Sequence, residues 1–145
     1  MSPTELRPLR LLDRHRVYEL ATMRFGSQWS VSAIEQLLAN PNQLSWGVFL
    51  KEDSKLISYL ITIVVAGEAD IISIATDPEY SRRGFGSQNL KHLMDSPKIH
   101  KIVLEVDVGN EAALAMYSNL GFTVDGVRKN YYNGERDAYR MSLNR

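Results

Sequence analysis

Two spacings of apolar residues divide the chain into helical and extended segments. Apolar residues that recur every three to four positions predict four helices, at 13–24, 32–38, 85–94 and 111–120. Runs rich in β-branched and aromatic residues predict seven strands, at 5–10, 44–51, 55–65, 69–76, 101–106, 122–131 and 137–143. This order predicts an α/β (α+β) fold, in which one mixed and largely antiparallel sheet is flanked by about four helices.

Capping signals mark several of the predicted helix ends. Asp13 stands where an N-cap of the first helix is expected, and Gly26 follows its last turn. Ser32 and Glu35 have the spacing of a capping box, which predicts the start of the second helix. Gly121 occupies the position after the fourth helix, where a left-handed residue commonly ends a helix.

Two strand connections are also predicted by the sequence. The segment 69–106 reads as strand, helix and strand, so its two strands should run parallel in the sheet. The last two strands flank Asn133-Gly134, a dipeptide that favours tight hairpin turns. No linker, repeat or low-complexity tract interrupts the pattern, and we expect residues 1–145 to form a single domain.

Composition narrows the function. The chain has 145 residues with 17 basic and 17 acidic side chains, a balance that argues against a general nucleic-acid binder. It contains no cysteine, which excludes disulfides and thiolate catalysis, and its three histidines lack metal-ligand spacing, so we expect no metal site. No apolar run has the length of a signal peptide or a membrane span, so we expect a cytoplasmic protein that binds no membrane.

The segment 74–87 predicts an anion site. It reads as a strand end, a proline turn and a glycine-containing loop that opens directly into a helix. Gly84 and Gly86 allow close approach of the backbone, and the helix start supplies unpaired N–H donors and a positive dipole end. Arg82 and Arg83 add positive charge at the rim. The alternative is a solvated loop, which the coincidence of glycines, arginines and a helix start disfavours.

Polar residues at the end of the second parallel strand should lie beside this loop, because ligands bind beyond the carboxyl ends of parallel strands. Alternation places Glu105 and Asp107 on the less apolar face of that strand. Glu105 is either a solvated carboxylate or a base. Asn110 has the position of an N-cap, and Tyr117 lies in a helix where core packing is the simplest interpretation. A phenol near a carboxylate would supply an acid and a base to one cleft.

With these motifs in place, the chain resembles the GNAT acetyltransferases, especially the RimI-type ribosomal-protein alanine N-acetyltransferases. The resemblance is strongest over 68–143. It is carried by 74–86, which is similar to the family's pyrophosphate-binding motif, by 104–122, which is similar to its catalytic half, and by 128–138, which resembles the late hairpin of N-terminal acetyltransferases. The resemblance implies two splayed parallel strands in the sheet and acetyl-CoA as the acetyl donor.

The resemblance also implies residue roles. The acetyl and pantetheine portion would be bound through the backbone of Ile74, Ala75 and Thr76. The pyrophosphate would be wrapped by Arg82, Arg83, Gly84, Phe85, Gly86 and Ser87, with Asn110 contacting the cofactor nearby. Glu105 would act as proton acceptor and Tyr117 as proton donor. The acceptor substrate would be held by Trp29, Tyr131 and Tyr132.

The expected reaction is direct acetyl transfer to the N-terminal α-amine of a protein, with a ribosomal-protein alanine as the favoured acceptor. A cysteinyl acyl-enzyme is impossible in this chain. Two departures from the family pattern are Ser81, where many members carry Gln or Arg, and Gln28, where Pro often precedes the Trp. Two alternatives remain open: acetylation of a small amine, polyamine or lysine side chain, and a non-catalytic module that binds acetyl-CoA.

Overall fold

The computed structural model describes residues 3–26, 29–132 and 136–145. Within these residues seven strands form one sheet, and four α-helices pack against it. The strands are β1 (Thr4–Pro8), β2 (Gln43–Leu50), β3 (Leu56–Val65), β4 (Glu68–Thr76), β5 (Lys101–Asp107), β6 (Thr123–Tyr132) and β7 (Arg136–Asn144). The helices are α1 (Arg14–Phe25), α2 (Val31–Ala39), α3 (Phe85–Met94) and α4 (Glu111–Asn119). The predicted order of elements and the mixed, largely antiparallel sheet are confirmed.

The start of α2 differs from the capping-box prediction. The cap is Ser30, whose hydroxyl accepts a hydrogen bond from the N–H of Ala33 at 3.0 Å. Ser32 therefore lies inside the first turn, and Glu35 instead pairs with Arg14 of α1 at 3.2 Å. Two serines separated by one residue offer the same local signal, and the ion pair with α1 is a tertiary contact that sequence spacing does not reveal.

The first helix begins and ends where the sequence predicts, but the Asp13 side chain does not cap it. Gly26 ends α1 with a φ of 74°, a backbone conformation that glycine adopts without a steric penalty. Asp13 does precede α1, but its carboxylate accepts from the N–H of Arg10 at 2.7 Å rather than capping the helix. Asp13 therefore fixes the 3-10 turn that leads into α1.

The sheet order is β1-β2-β3-β4-β5-β7-β6, so β7 lies between β5 and β6. All neighbouring strands are antiparallel except β4 and β5, which are parallel as predicted. Their pairing covers only 68–70 of β4 and 101–103 of β5. Beyond it, β4 contains a bulge at Ile72, since Thr62 pairs with Ile71 and Ile61 with Ser73. A bulge bends a strand and increases its twist, which accounts for the separation of the two strands.

Two hydrophobic clusters lie on opposite faces of the sheet. One combines Leu90 and Leu93 of α3 and Tyr117 of α4 with the β5 residues Leu104 and Val106. The other joins α1 and α2 to β2, β3 and β4, and its members include Val17, Leu20, Ile34, Tyr59 and Ala75. Since successive strand residues point to opposite faces, Glu105 lies on the face opposite α3 and α4. The separated ends of β4 and β5 bound a cleft in the sheet.

Candidate active site

The first wall of the cleft is the free edge of β4. The N–H of Asp77 donates to the carbonyl of Ile57 at 2.8 Å, and Thr76 is in register with Ser58. In an antiparallel pair this geometry makes Ser58 and Thr76 a non-hydrogen-bonded pair, and the pattern repeats every second residue. The N–H and C=O groups of Ile74 and Thr76 therefore point away from β3, into the cleft.

The opposite wall is the edge of β5. The N–H of Val108 donates to the carbonyl of Asp137 at 3.2 Å, and Asp107 is in register with Ala138. By the same alternation, the backbone groups of Glu105 and Asp107 point away from β7 and toward β4. Two strand edges whose amide groups have no strand partner in the described part of the chain thus face each other. Such an arrangement can bind an extended, amide-containing ligand in the way that it would bind an added strand.

The loop after β4 ends at the start of α3 and has the features of an anion cradle. Arg82 and Gly84 have φ values of 63° and 84°, and no described side chain caps the N-terminus of α3. A Cβ at Gly84 would meet no atom within 4 Å, so the space before the helix is open. The Arg83 guanidinium lies 5.3 Å from the ring centroid of Tyr80, and both arginines are exposed. Uncapped N–H donors and two cations suit a phosphate group.

Asp77 holds this loop from the side of α1. Its Oδ2 accepts from Nη2 of Arg16 at 2.7 Å, and its Oδ1 accepts from the N–H of Glu79 at 3.0 Å. Arg16 also donates from Nε to the carbonyl of Leu56 at 2.8 Å. Burial alone would raise the pKa of Asp77, but the Glu79 N–H, the Arg16 hydrogen bond and charge, and the Lys55 charge together lower it. The ionised carboxylate therefore anchors the loop.

Glu105 lies at the cleft end of β5. Its Oε1 accepts from Nη1 of Arg128 at 3.0 Å, whereas its Oε2 is buried and has no hydrogen-bond partner in the described part of the chain. Buried polar oxygens without a partner are uncommon and often mark a functional group. An acceptor atom at this position can take a proton from a group that enters the cleft.

Charges on the neighbouring strands complete the environment of Glu105. Arg140 of β7 is in register with it, and Asp70 of β4 is in register with Val103 on the same face. Burial raises the pKa of Asp70, Arg140 lowers it, and the charges of Glu105 and Glu68 raise it further. The carboxylates of Asp70 and Glu105 are thus close enough to interact where β4 and β5 begin to separate.

Tyr117 approaches β5 from the other face. It is buried in the cluster with Leu104 and Val106, and its ring packs edge-on against Phe122 with centroids 5.7 Å apart. Asn110 caps α4 by accepting from the N–H of Ala113 at 3.1 Å, so its helix-capping role is confirmed. Glu105 and Tyr117 therefore lie on opposite faces of β5.

Of the three predicted acceptor-binding residues, Trp29 has a described side chain and the two tyrosines do not. Trp29 is half-buried and packs against the cluster of α1 and α2. Tyr131 and Tyr132 are the last residues of β6, and their side chains lie outside the described part of the structure, as do Asn133 and Gly134, for which the sequence predicts a turn.

Sequence reasoning missed Arg128 as a partner of Glu105. Arg128 is in register with Ala138, the partner of Asp107, and this register includes a shift between Arg128 and Tyr132 that a regular hairpin would not have. The contact also depends on β7 lying between β5 and β6, so the sequence carries no signal for it.

A family comparison decides the class of this site. Residues 14–122 match the model of the acetyltransferase (GNAT) family. The chain belongs to the GNAT acetyltransferase family. As a GNAT member it is an N-acetyltransferase, and the resemblance inferred from its motifs is confirmed.

Individual relatives agree with this assignment. The chain is 40% identical over 141 residues, 93% of each chain, to the [ribosomal protein bS18]-alanine N-acetyltransferase of Escherichia coli K12. It also resembles the crystal structure of the E. coli ribosomal-protein-S18-alanine N-acetyltransferase, with a TM-score of 0.87, 31% identity and coverage of 98% and 94%. Arabidopsis thaliana NAA60 in complex with acetyl-CoA has a TM-score of 0.86 at 15% identity, with 98% of each chain covered, and so shares the fold.

GNAT acetyltransferases use acetyl-CoA, and the cleft fits that molecule. The cradle at α3 suits its pyrophosphate, and the unpaired edges of β4 and β5 suit its amide groups. Among the described residues, no group of three or more His, Asp or Glu is arranged to hold a metal ion. None of the helices described is both long and apolar enough to cross a membrane.

Proposed function

We propose that this GNAT enzyme transfers the acetyl group of acetyl-CoA to the N-terminal α-amine of a protein, with an alanine of a ribosomal protein as the favoured acceptor. The relative at 40% identity over 93% of the chain is named for that reaction on bS18. We further propose that residues 1–145 act as one catalytic domain in the cytoplasm. One observation carries the chemical part of the proposal: Oε2 of Glu105, at the end of β5, is buried and has no hydrogen-bond partner among the described residues.

Acetyl-CoA supplies the acetyl group as an activated thioester. Arg82, Arg83 and the N–H groups of 84–87 would hold its pyrophosphate, because they combine positive charge with uncapped helix donors. The backbone of Ile74 and Thr76 would hold the pantetheine amides, with Ala75 between them paired to β3. Phe85 is buried, so its contribution would come through its backbone.

Glu105 would act on the acceptor amine. An α-amine has a reference pKa of about 7.7–8.0, so a large fraction carries a proton near neutral pH. It must lose that proton before its lone pair can attack a carbonyl carbon. Oε2 of Glu105, directly or through a water molecule, would take it, while Oε1 stays bound to Arg128. General-base assistance of this kind contributes about 10²–10⁴-fold to rate.

Two further groups would balance the charge that the transfer creates. The N–H of Ile74 or Thr76 points into the cleft and can donate to an oxygen that gains negative charge. Tyr117, on the far face of β5, would give its phenolic proton to the departing thiolate. The proton taken by Glu105 and the proton given by Tyr117 thus travel on opposite faces of the strand.

The acceptor would enter on the face that carries Glu105. Trp29 packs beside α1 and α2 on that face, and we propose that it forms one wall, with Tyr131 and Tyr132 at the end of β6 opposite. The entering amine needs access to Glu105 and room for the first side chain, and alanine has a small one.

The direct test compares two peptides that begin with Ala and contain one internal Lys, one with a free and one with a blocked N-terminus. We expect release of CoA with the free peptide only, and fragmentation mass spectrometry should locate the acetyl group on the first residue. Release with both peptides would indicate a lysine acetyltransferase. Binding of acetyl-CoA without turnover on either peptide or on polyamines would indicate a binding module.

A further inference from the structure

Three polar side chains from three different elements form a row through the core below the cleft. Nδ2 of Asn89, on α3, donates to Oγ of Ser58, on β3, at 2.9 Å. That Oγ in turn lies 2.8 Å from Oγ1 of Thr76, on β4. Asn89 and Ser58 are both fully buried. We call Asn89, Ser58 and Thr76 the polar row.

The polar row lies among residues of the hydrophobic core. The next residue of α3, Leu90, and the next inward residue of β3, Leu60, belong to the hydrophobic cluster. Burying polar groups costs free energy unless every donor and acceptor is bonded. Oδ1 of Asn89 is buried with no partner among the described residues. Exchanging Oδ1 and Nδ2 would not remove the defect, because Nδ2 would then lack its acceptor. An apolar core would avoid this cost, so stability alone does not explain the row.

The two ends of the polar row lie at the two halves of the candidate acetyl-CoA site. Thr76 is the residue whose backbone N–H and C=O face the cleft at the end of β4. Asn89 is five positions after Gly84, the N-cap of α3 at the anion cradle. The main-chain carbonyl of Asn89 also accepts from Nε1 of Trp46 on β2 at 3.3 Å, which further fixes the helix.

A hydrogen-bonded row constrains position more narrowly than apolar contact does. Hydrogen bonds require a narrow range of distance and angle, whereas apolar side chains can slide past one another with little loss. Shifting α3 along β3 would break the hydrogen bond from Asn89 to Ser58 and leave the buried Nδ2 of Asn89, like its Oδ1, without a partner among the described residues. The row therefore couples the position of the α3 cradle to the position of the β4 edge.

We propose that Asn89, Ser58 and Thr76 are positioning residues that hold the anion cradle and the cleft edge at the spacing acetyl-CoA requires. This inference rests on the acetyl-CoA site proposed above. When two linked fragments bind two sites at a fixed spacing, the linked molecule binds far more tightly than either part. A change in the spacing of the two sites should therefore weaken the binding of the linked molecule and leave the affinities of the separate fragments nearly unchanged.

The test measures binding of CoA, ADP and pantetheine to the full chain by calorimetry or ligand-detected NMR. Ser58→Ala removes the centre of the row. We expect it to weaken CoA binding about 10-fold while ADP and pantetheine each change less than about twofold. A triple variant, Ser58→Ala with Thr76→Val and Asn89→Leu, makes the whole row apolar and so leaves no buried polar side chain of the row without a partner. It should show the same selective loss of affinity for CoA. Circular dichroism and thermal unfolding report whether each variant is folded.

Thr62→Val is the matched control. Thr62 lies on the same strand and is fully buried, and its hydroxyl donates to the carbonyl of Leu44 at 2.7 Å, away from the cleft. We expect this variant to lose stability like Ser58→Ala but to keep its affinity for CoA. Equal loss of CoA binding in both variants, or no loss in either, would overturn the positioning role. Failure of the unmodified chain to bind CoA at all would instead remove the proposed function, and the polar row's role with it.

Discussion

Arg128 binds one oxygen of Glu105, and no described residue binds the other. Nη1 of Arg128 lies 3.0 Å from Oε1, while Oε2 is buried with no hydrogen-bond partner among the residues described. The two side chains meet across β7, which separates their strands in the sheet. An ion pair that engages a single oxygen orients the carboxylate and keeps one acceptor for the cleft.

Arg128→Gln should therefore lower kcat/KM about 10-fold with little change in stability. The loss is expected because a carboxylate without its fixing partner spends less time in the productive orientation. The pair is largely exposed on the arginine side, so the free energy of unfolding should change by less than about 1 kcal/mol. Steady-state kinetics and urea denaturation measure the two effects.

Lys129→Gln provides the control for Arg128→Gln. Lys129 is the next residue of β6 and pairs with Asp137 at 3.2 Å, so the variant removes a positive charge nearby without touching Glu105. We expect near-normal kcat/KM. If both variants lose activity equally, general positive charge rather than orientation of Glu105 is responsible.

Asp77→Asn should destabilise the loop between β4 and α3. The change removes the closer and more buried of the two anionic partners of Arg16, whose side chain is only 20% exposed, and we expect a loss of about 1–3 kcal/mol at pH 7. The pKa of Asp77 is lowered in the folded state, so its stabilisation is complete above the unfolded pKa of about 3.9. It is lost as pH falls through the lower, folded pKa. Urea denaturation of both proteins from pH 7 to pH 3 should show the difference shrinking below about pH 4.

Glu19→Gln is the companion to Asp77→Asn. Glu19 also pairs with Arg16, at 3.7 Å, but its side chain is 58% exposed. Its removal should change stability by less than about 1 kcal/mol at any pH. A stability gap for Asp77→Asn that stays constant down to pH 3 would contradict the role assigned to the ionised carboxylate.

Tyr117→Phe should distinguish a catalytic role of the Tyr117 hydroxyl from a packing role of its ring. Phenylalanine keeps the ring that packs edge-on against Phe122, so we expect a loss of stability of about 1 kcal/mol. Without the phenolic proton, kcat should fall about 10²-fold while the Kd for acetyl-CoA changes little. Rapid-quench kinetics and a thermal melt measure this. An unfolded variant, or one with normal kcat, would leave Tyr117 as a core residue only.

Local sequence signals predicted helix bounds well where residues that start or stop a helix stand directly at its ends. The bounds of α3 follow from the glycine before it and the Ser-Pro after it, and Gly26 ends α1 as expected. The predicted N-cap of α2, Ser32, was wrong because Ser30 and Ser32 carry the same local capping signal. Only the tertiary pairing of Glu35 with Arg14 distinguishes the two positions.

Tertiary relationships in the site were beyond the sequence. The contact of Arg128 with Glu105 depends on β7 lying between β5 and β6, and the order of strands along the chain does not determine that. The polar row requires both the β3–β4 register and the rotation of α3, since Ser58 and Asn89 are 31 residues apart. Neither relationship leaves a periodic signal in the sequence.

The role of Glu105 is tested most directly by Glu105→Gln, which keeps the shape and the hydrogen bond from Arg128 but lowers basicity. The variant should be measured beside Asp107→Asn, which alters a carboxylate on the same strand end whose oxygens are engaged by Arg136 and the Gly109 N–H. We predict that Glu105→Gln lowers kcat about 10²–10⁴-fold on an Ala-initiated peptide with an unchanged Kd for acetyl-CoA, whereas Asp107→Asn loses only a few-fold. Normal turnover by Glu105→Gln would contradict the account.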